Sequence, residues 1–416
     1  MSDPRLAAAR ILENVLTKAQ FYNEAKIAEA ASPKDNAFIN MLVLTVLRQL
    51  VFLEQSLAPL LRKKVKSRIK SLLLCAAAEL FFLETPDYAV INSYVNLAKK
   101  TDNPFTGNFV NAVLRNLARG KDKLQQPNAV FPQPFRRLLQ KDYDAEEIAA
   151  LETEFLNQPP LDLTVKENPD LWAERLQAEL LPGGSLRLQT AGKIPDLPGY
   201  REGAWWVQDF SAALPVKTLP PLAGKKVLDL CAAPGGKTAQ LINAGAKVTA
   251  VDVSEPRLQT LRENLKRLHL DAEEIICADA LTYLDSAPSD LDVILLDAPC
   301  SATGTIRRHP ELIHIKSADD VAKQLPLQRQ LLQKAAKILP PDGILLYCTC
   351  SLAKAEGEEQ VRALLSAEPQ LKLRPLAFPE LPEIVSPEGW IRTLPRHMAA
   401  QGGCDAFFIA QLQKVT

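Results

Sequence analysis

The chain has 416 residues, 47% hydrophobic and 24% charged, with 49 Lys and Arg balanced by 49 Asp and Glu. That length exceeds one ordinary core and implies two or three domains, and the composition is that of a globular chain rather than a disordered one. Taken whole, the flat charge argues against an obligate nucleic-acid binder. The longest apolar stretch, around Leu72 to Leu83, is broken by Glu79 and falls short of the roughly 20 residues of a membrane span, so no membrane is expected as a partner. The N-terminus enters an amphipathic pattern directly, without the apolar core of a signal peptide. Seven cysteines without paired spacings argue against a disulfide scaffold and fit a reducing cytoplasm. No metal is expected, because there is no C-x-x-C and His269, His309, His314 and His397 are scattered.

In chain order, apolar residues from Leu6 to about Arg119 recur at three and four positions, as in Ile11, Leu12, Val15, Leu16 and again Phe38, Leu42, Val43, Val46, Leu47. This period predicts an all-α bundle of five or more helices over 1–125, with Ser32-Pro33-Lys34-Asp35 and Thr85-Pro86-Asp87 as turns and caps. Residues 126–203 read as a linker and a small α/β, RRM-like module, built around the run Leu161 to Val165 and a helical pattern from Leu171 to Leu181. From Gly224 the pattern alternates. Strands are predicted at Lys226 to Cys231, Lys247 to Val253, Glu274 to Ala278, Leu291 to Asp297 and Gly343 to Cys348, with helices such as Pro256 to Leu268 and Leu325 to Leu339 between them. Such alternation implies a parallel, doubly wound, Rossmann-like sheet within 204–416, whose ligands bind at the carboxyl ends of the strands.

The strand-end loops carry the chemistry. The first strand runs into Cys231-Ala232-Ala233-Pro234-Gly235-Gly236-Lys237-Thr238, where paired glycines permit close backbone approach and a tight entry into a helix. The spacing is neither G-x-G-x-x-G nor that of a phosphate-binding loop, and a lone Gly-Gly turn is more often only a turn. Asp252, about 20 residues on at the next strand end, suits ribose hydroxyls, which favours a nucleoside cofactor. Asp279 suits a base amino group or, equally, a helix N-cap. The fourth strand leads into Asp297-Ala298-Pro299-Cys300-Ser301-Ala302-Thr303-Gly304, the fifth into Cys348-Thr349-Cys350-Ser351. Two thiols at successive strand ends suit covalent chemistry on a base. Cysteine is also a small buried hydrophobe, the reading preferred for Cys75, Cys231, Cys277, Cys348 and Cys404.

Together, Asp229 to Thr238, Asp297 to Gly304 and Thr349-Cys350-Ser351 resemble the motifs of S-adenosylmethionine-dependent RNA cytosine-5 methyltransferases. Asp35-Asn36-Ala37-Phe38, Val90-Ile91-Asn92 and Phe109-Val110-Asn111-Ala112-Val113-Leu114-Arg115 resemble the NusB-like RNA-binding domain, a combination similar to the Sun/Fmu/RsmB subfamily acting on bacterial 16S ribosomal RNA. The resemblance implies a class I methyltransferase domain and S-adenosylmethionine as cofactor. It implies Cys350 as the nucleophile on cytosine carbon 6, Cys300 as the aid to product release, and Asp297 and Lys237 beside them. Cofactor contacts carried over are Cys231 to Lys237, Asp252, Asp279, Asp297 and Arg257, the last equally readable as an exposed helix residue. A tRNA substrate or a non-catalytic assembly role are the alternatives; no obligate protein partner is evident.

Ala302 and Ala406 stand where the family usually has glycine, each adding a methyl group to a turn that suits positive φ. Gln208-Asp209 after Trp205-Trp206 resembles the entry to the catalytic domain, the tryptophans reading as core. Finally, Arg62, Lys63, Lys64, Lys66, Arg68 and Lys70 form an acid-free basic run expected to meet RNA phosphates. Residues 1–125 hold 18 Lys and Arg against 11 Asp and Glu, and the remainder 31 against 38. The whole-chain zero is therefore a cancellation, compatible with an RNA partner.

Overall fold

The computed structural model describes residues 3–22, 32–61, 63–124, 129–189 and 192–415. The chain divides into two compact units, Met1–Gln140 with Arg308–Ser317, and Lys141–Arg307 with Ala318–Thr416. Nothing in the sequence pattern anticipates that Arg308–Ser317 groups with the N-terminal part.

The first unit is helical: α1 (Pro4–Lys18), α2 (Pro33–Arg48), α3 (Leu50–Leu57), α4 (Ser67–Phe82), α5 (Asp87–Thr101), α6 (Pro104–Gly120) and α7 (Gln133–Leu139). Short polar residues set the starts, with Asp3, Ser32 and Asn103 accepting from backbone N–H groups of the first turn and proline following each. The interior of α4 is almost wholly buried, from Leu72 to Leu80, which explains its unbroken apolar run. Glu79, fully buried there, takes Arg5 of α1 bidentately at 2.8 Å and the Tyr94 hydroxyl of α5 at 2.6 Å. One paired carboxylate thus ties three helices, since a buried charge persists only with such partners. Among the described residues no single helix is long and apolar enough to cross a membrane.

The second unit contains α8 (Ala145–Leu156), β1 (Leu161–Val165), α9 (Pro169–Leu176), β2 (Glu179–Leu180), β3 (Leu186–Leu188) and β4 (Trp205–Val207). These strands form a small antiparallel sheet, ordered β2-β3-β1-β4, over Leu163, Leu176, Leu186, Leu188 and Trp205. Arg187 and Asp162, both side chains fully buried, pair bidentately at 2.7 Å across it, and Asp162 also accepts the Phe210 N–H at 3.0 Å. That last bond joins the small sheet to α10 (Phe210–Lys217), the first helix before the large sheet.

The large sheet follows: β5 (Lys226–Leu230), α11 (Gly236–Asn243), β6 (Lys247–Asp252), α12 (Glu255–Leu268), β7 (Glu274–Cys277), β8 (Val293–Asp297), α13 (Ala318–Ile338), β9 (Ile344–Thr349), α14 (Glu358–Ala367), β10 (Leu371–Arg374), β11 (Ile391–Thr393) and β12 (Phe407–Lys414). Its order is β10-β12-β9-β8-β5-β6-β7, with β11 also on β12. The five predicted strands are present and parallel. The sheet is nevertheless mixed, because β12 lies antiparallel against β9 and carries β10 and β11 antiparallel on itself. The first six residues of β12 are buried, so the strand lacks the alternation that marks a half-exposed one. From β5 the chain winds one way through β6 and β7, then returns to β8 on the other side. The topological switch point therefore lies between β5 and β8, where doubly wound sheets bind ligands.

Candidate active site

The loop after β5 is shaped by backbone first. Cys231 has φ +60° and Gly235 φ +100°, where a Cβ would lie 2.8 Å from Leu261. Gly235 is the cap of α11, and Ala232 N–H is held by Val251 of β6 at 3.1 Å. A non-glycine residue in the left-handed region marks stored strain, here at the mouth of the switch point. Beneath it Asp229 is fully buried; one oxygen accepts the Thr238 hydroxyl at 2.6 Å, while Oδ1 has no partner among the described residues. Burial, partly offset by the Thr238 bond and reinforced by the charge of Asp297, lifts this carboxyl to about 7.

Asp252 ends β6 almost buried, its oxygens accepting the N–H groups of Ala233 at 3.1 Å and Ser254 at 2.9 Å. Arg257 of α12 lies 3.7 Å from it and also donates to the Ala233 carbonyl, with over half its side chain exposed. Arg257 is thus a solvent-facing helix residue that also touches the loop. Asp279 is exposed and accepts from Thr282 N–H at 3.0 Å, making it the N-cap of the short helix Ala280–Tyr283. The cap reading of Asp279 holds, and a ligand would have to share it.

At the end of β8, Asp297 Oδ2 accepts from Lys237 Nζ at 2.8 Å, and Lys237 sits over the Phe407 ring, 4.9 Å from its centroid. Burial works against this ammonium, but Asp297, Cys348 and Cys350 together hold its pKa well above the ordinary lysine value. The pairing with Asp297 thus favours the charged form of Lys237. Cys300 and Cys350 are brought together, their sulfurs 3.5 Å apart and both partly exposed. The hydrogen bond to Cys350, then burial and the neighbouring Cys350 and Glu356, push the Cys300 thiol up. Cys348 is fully buried, its thiol raised by burial and by Asp297, to which it donates at 3.5 Å. Cys231 is pushed up to about 12 by burial and the surrounding carboxylates. Inert structural readings fit both, as they fit buried Cys75 and Cys404. Cys277 departs from expectation: it is exposed, because β7 is an edge strand.

Gly304 closes the β8 loop. Its N–H donates to the Cys350 carbonyl at 2.9 Å, and a Cβ there would fall 2.1 Å from the Ala406 carbonyl oxygen. Ala302 has φ +59°, as expected of a position the family fills with glycine, whereas Ala406 is not among the positive-φ residues. Alanine in the left-handed region costs about 1–2 kcal/mol, and glycine returns part of that through unfolded-chain entropy. Ala302→Gly is accordingly expected to stabilise the protein by about 0.5–1 kcal/mol, read as a rise in the thermal unfolding midpoint.

In the helical unit, Lys63, Lys64, Lys66, Arg68 and Lys70 are all exposed, while Arg62 lies outside the described residues. Half of the run is already paired: Lys66 with Asp102 at 2.6 Å, Arg68 with Glu13 at 3.8 Å and Lys70 with Glu54 at 2.5 Å. The acids come from other helices, which sequence adjacency hides. Lys63 and Lys64 line a cavity of about 740 Å³ together with the Lys66–Asp102 pair, Phe105 and Phe109. Phe105 is 83% exposed, an aromatic no reading of the sequence singled out.

A switch-point cleft with a glycine turn and strand-end carboxylates defines a Rossmann-like domain with a nucleoside-cofactor site, and it follows a helical unit in the sequence. The family described as 16S rRNA methyltransferase RsmB/F matches residues 216–413, and the NusB family matches residues 2–119. Ribosomal RNA small subunit methyltransferase B of Pseudomonas putida is 35% identical over 440 residues, covering 99% of either chain. Its counterpart from Vibrio cholerae is 35% identical over 396 residues, 89% of this chain and 90% of that one. In fold, the crystal structure of PH0851 covers 100% of this chain and 99% of its own at a TM-score of 0.78 and 23% identity. The chain belongs to the RsmB/F family of RNA methyltransferases.

Proposed function

We propose that the protein methylates carbon 5 of a cytosine in 16S ribosomal RNA through a covalent adduct on Cys350, working in the bacterial cytoplasm. The observation that carries this reading is the pair of thiols, Cys300 and Cys350, 3.5 Å apart at the ends of adjacent strands. The cleft fits the cofactor: the Gly235-Gly236 turn carries no side chain beyond Cα, and Asp229 offers a buried oxygen without a partner among the described residues. Cys231 to Lys237, Asp252, Arg257, Asp279 and Asp297 would hold it. When bound, S-adenosylmethionine supplies an electrophilic methyl group.

The chain's own residues do the rest. Cys350, as thiolate, adds to carbon 6 of the ring, and the electron pair so released makes carbon 5 nucleophilic. The charge that addition delivers to the ring is neutralised when N3 takes up a proton from solvent, and Asp297, accepting from the protonated edge, favours that form, with Lys237 fixing its orientation. After methylation the carbon 5 proton passes to solvent water, its electron pair reforms the double bond between carbons 5 and 6, and the Cys350 sulfur leaves as thiolate. Cys300, a thiol, donates to that departing sulfur. A base reaches such a cleft only out of its stack, which favours unpaired RNA. Residues 1–125 would grip the RNA, and residues 204–416 would react. Bisulfite sequencing of ribosomal and transfer RNA from a deletion strain tests the assignment. One 16S cytosine should lose its methylation; loss confined to tRNA, or none at all, would overturn it.

Lys63 and Lys64 are the cations we assign to phosphates, because they alone in the described part of the basic run have no ion pair. A Lys63→Ala/Lys64→Ala variant should flatten the slope of log affinity against log salt by about 0.7 for each phosphate no longer neutralised, across RNA sequences alike. An unchanged slope in filter-binding titrations would remove both residues from the interface.

A further inference from the structure

Glu356 lies in the turn between β9 and α14 and is fully buried, yet it carries no part in the chemistry described above. Its carboxylate is saturated. Oε1 accepts the Ser301 N–H at 2.8 Å and Gln328 Nε2 at 3.0 Å; Oε2 accepts the Ser301 and Ser351 hydroxyls, each at 2.5 Å. Ser301 directly follows Cys300 and Ser351 directly follows Cys350. The two serine hydroxyls lie 3.2 Å apart, and Gln328 reaches on to the Pro299 carbonyl at 2.9 Å, one residue before Cys300. Tyr347, next along β9, fixes the Glu356 backbone by donating to its carbonyl at 2.6 Å.

Among the described residues no cation pairs with this carboxylate, so its burial rests on four hydrogen bonds. A buried anion held this way is costly unless every donor stays in place, which makes the arrangement stiff. The donors are the residues flanking the two thiols. The loops after β8 and β9 come from elements far apart in sequence; besides this cluster they are joined by the Gly304 N–H to Cys350 carbonyl bond and by the Thr303 hydroxyl, which accepts the Leu352 N–H at 3.0 Å and lies 3.3 Å from the Ser351 hydroxyl.

We propose that Glu356 is a positioning residue that sets the separation of the Cys300 and Cys350 sulfurs by clamping the residue after each. This rests on the reading of the two thiols as the reacting pair. Cys300 serves Cys350 only within hydrogen-bond reach, and a displacement of order 1 Å in such a site costs about 100-fold in rate. The charge of Glu356 also helps to keep Cys300 protonated, consistent with its role as donor.

The test uses the full-length protein and two readouts. Dibromobimane, which links neighbouring thiols, is applied without RNA or cofactor, and the Cys300–Cys350 bridged peptide is quantified by mass spectrometry. Methyl transfer to 16S RNA is then measured as kcat and KM. Glu356→Ala should lose most of the bridged product and about 100-fold in kcat, with KM for RNA unchanged. Ser301→Ala/Ser351→Ala, which spares the carboxylate but removes both hydroxyl links, should shift both readouts in the same direction and decides the matter if Glu356→Ala fails to fold. Wild-type bridging and kcat in a folded variant would overturn the clamp. Wild-type protein that bridges its thiols but methylates no cytosine would instead overturn the reading of the reaction and leave the clamp standing.

Discussion

Cys350→Ser is expected to abolish methyl transfer, by roughly 10⁴-fold or more in kcat, because a serine hydroxyl is a far weaker nucleophile toward carbon 6 than a thiolate. Cys300→Ser should behave differently. With Cys350 intact the adduct still forms, but the proton donor 3.5 Å from the departing sulfur is a weaker acid, so release slows. On natural RNA this variant should accumulate a covalent protein–RNA complex, visible as a shifted band on a denaturing gel, while Cys350→Ser shows none. The other thiols do not compete. Cys348 is buried and raised by burial and Asp297, and Cys231 is pushed up to about 12. A Cys350→Ser enzyme that retained the shifted band would exchange the roles of the two thiols.

The second large effect falls on the Lys237–Asp297 pair. Asp297→Asn keeps the shape of the side chain but removes the charge that favours a cationic ring, and should lower kcat by about 10²–10³-fold. Part of any loss would be structural, since removing one partner of a largely buried ion pair strands the other. The double variant Lys237→Met/Asp297→Asn separates the two contributions. It should recover thermal stability relative to Asp297→Asn, because no lone ammonium remains beside Phe407, yet stay as inactive. Recovery of activity together with stability would reduce Asp297 to a partner of Lys237.

Strands β5, β6, β8 and β9 and the loops after them were legible because short apolar runs give way there to Asp, Gly, Pro and Cys, a change of residue type that marks a strand end. The helical unit was legible from period alone. What escaped was decided by tertiary contact. Strand β12 is buried through its first six residues and has no alternation to read. The pairing of Lys66, Arg68 and Lys70 joins residues 16 to 55 positions apart, so the basic run looked freer than it is. Glu356, five residues past Ser351, reads as an ordinary surface acid until the fold turns it inward against both cysteine loops. Ala302 shows the converse: a departure from the family's glycine that the backbone accepts at φ +59°.

The central claim is a covalent bond between Cys350 and carbon 6 of cytosine, and trapping measures it directly. RNA carrying 5-fluorocytosine cannot lose a proton from carbon 5, so with S-adenosylmethionine present the adduct should persist and map by mass spectrometry to the peptide containing Cys350. The account predicts that adduct with wild type and with Cys300→Ser, and none with Cys350→Ser. An adduct lost with Cys300→Ser and kept with Cys350→Ser would contradict it.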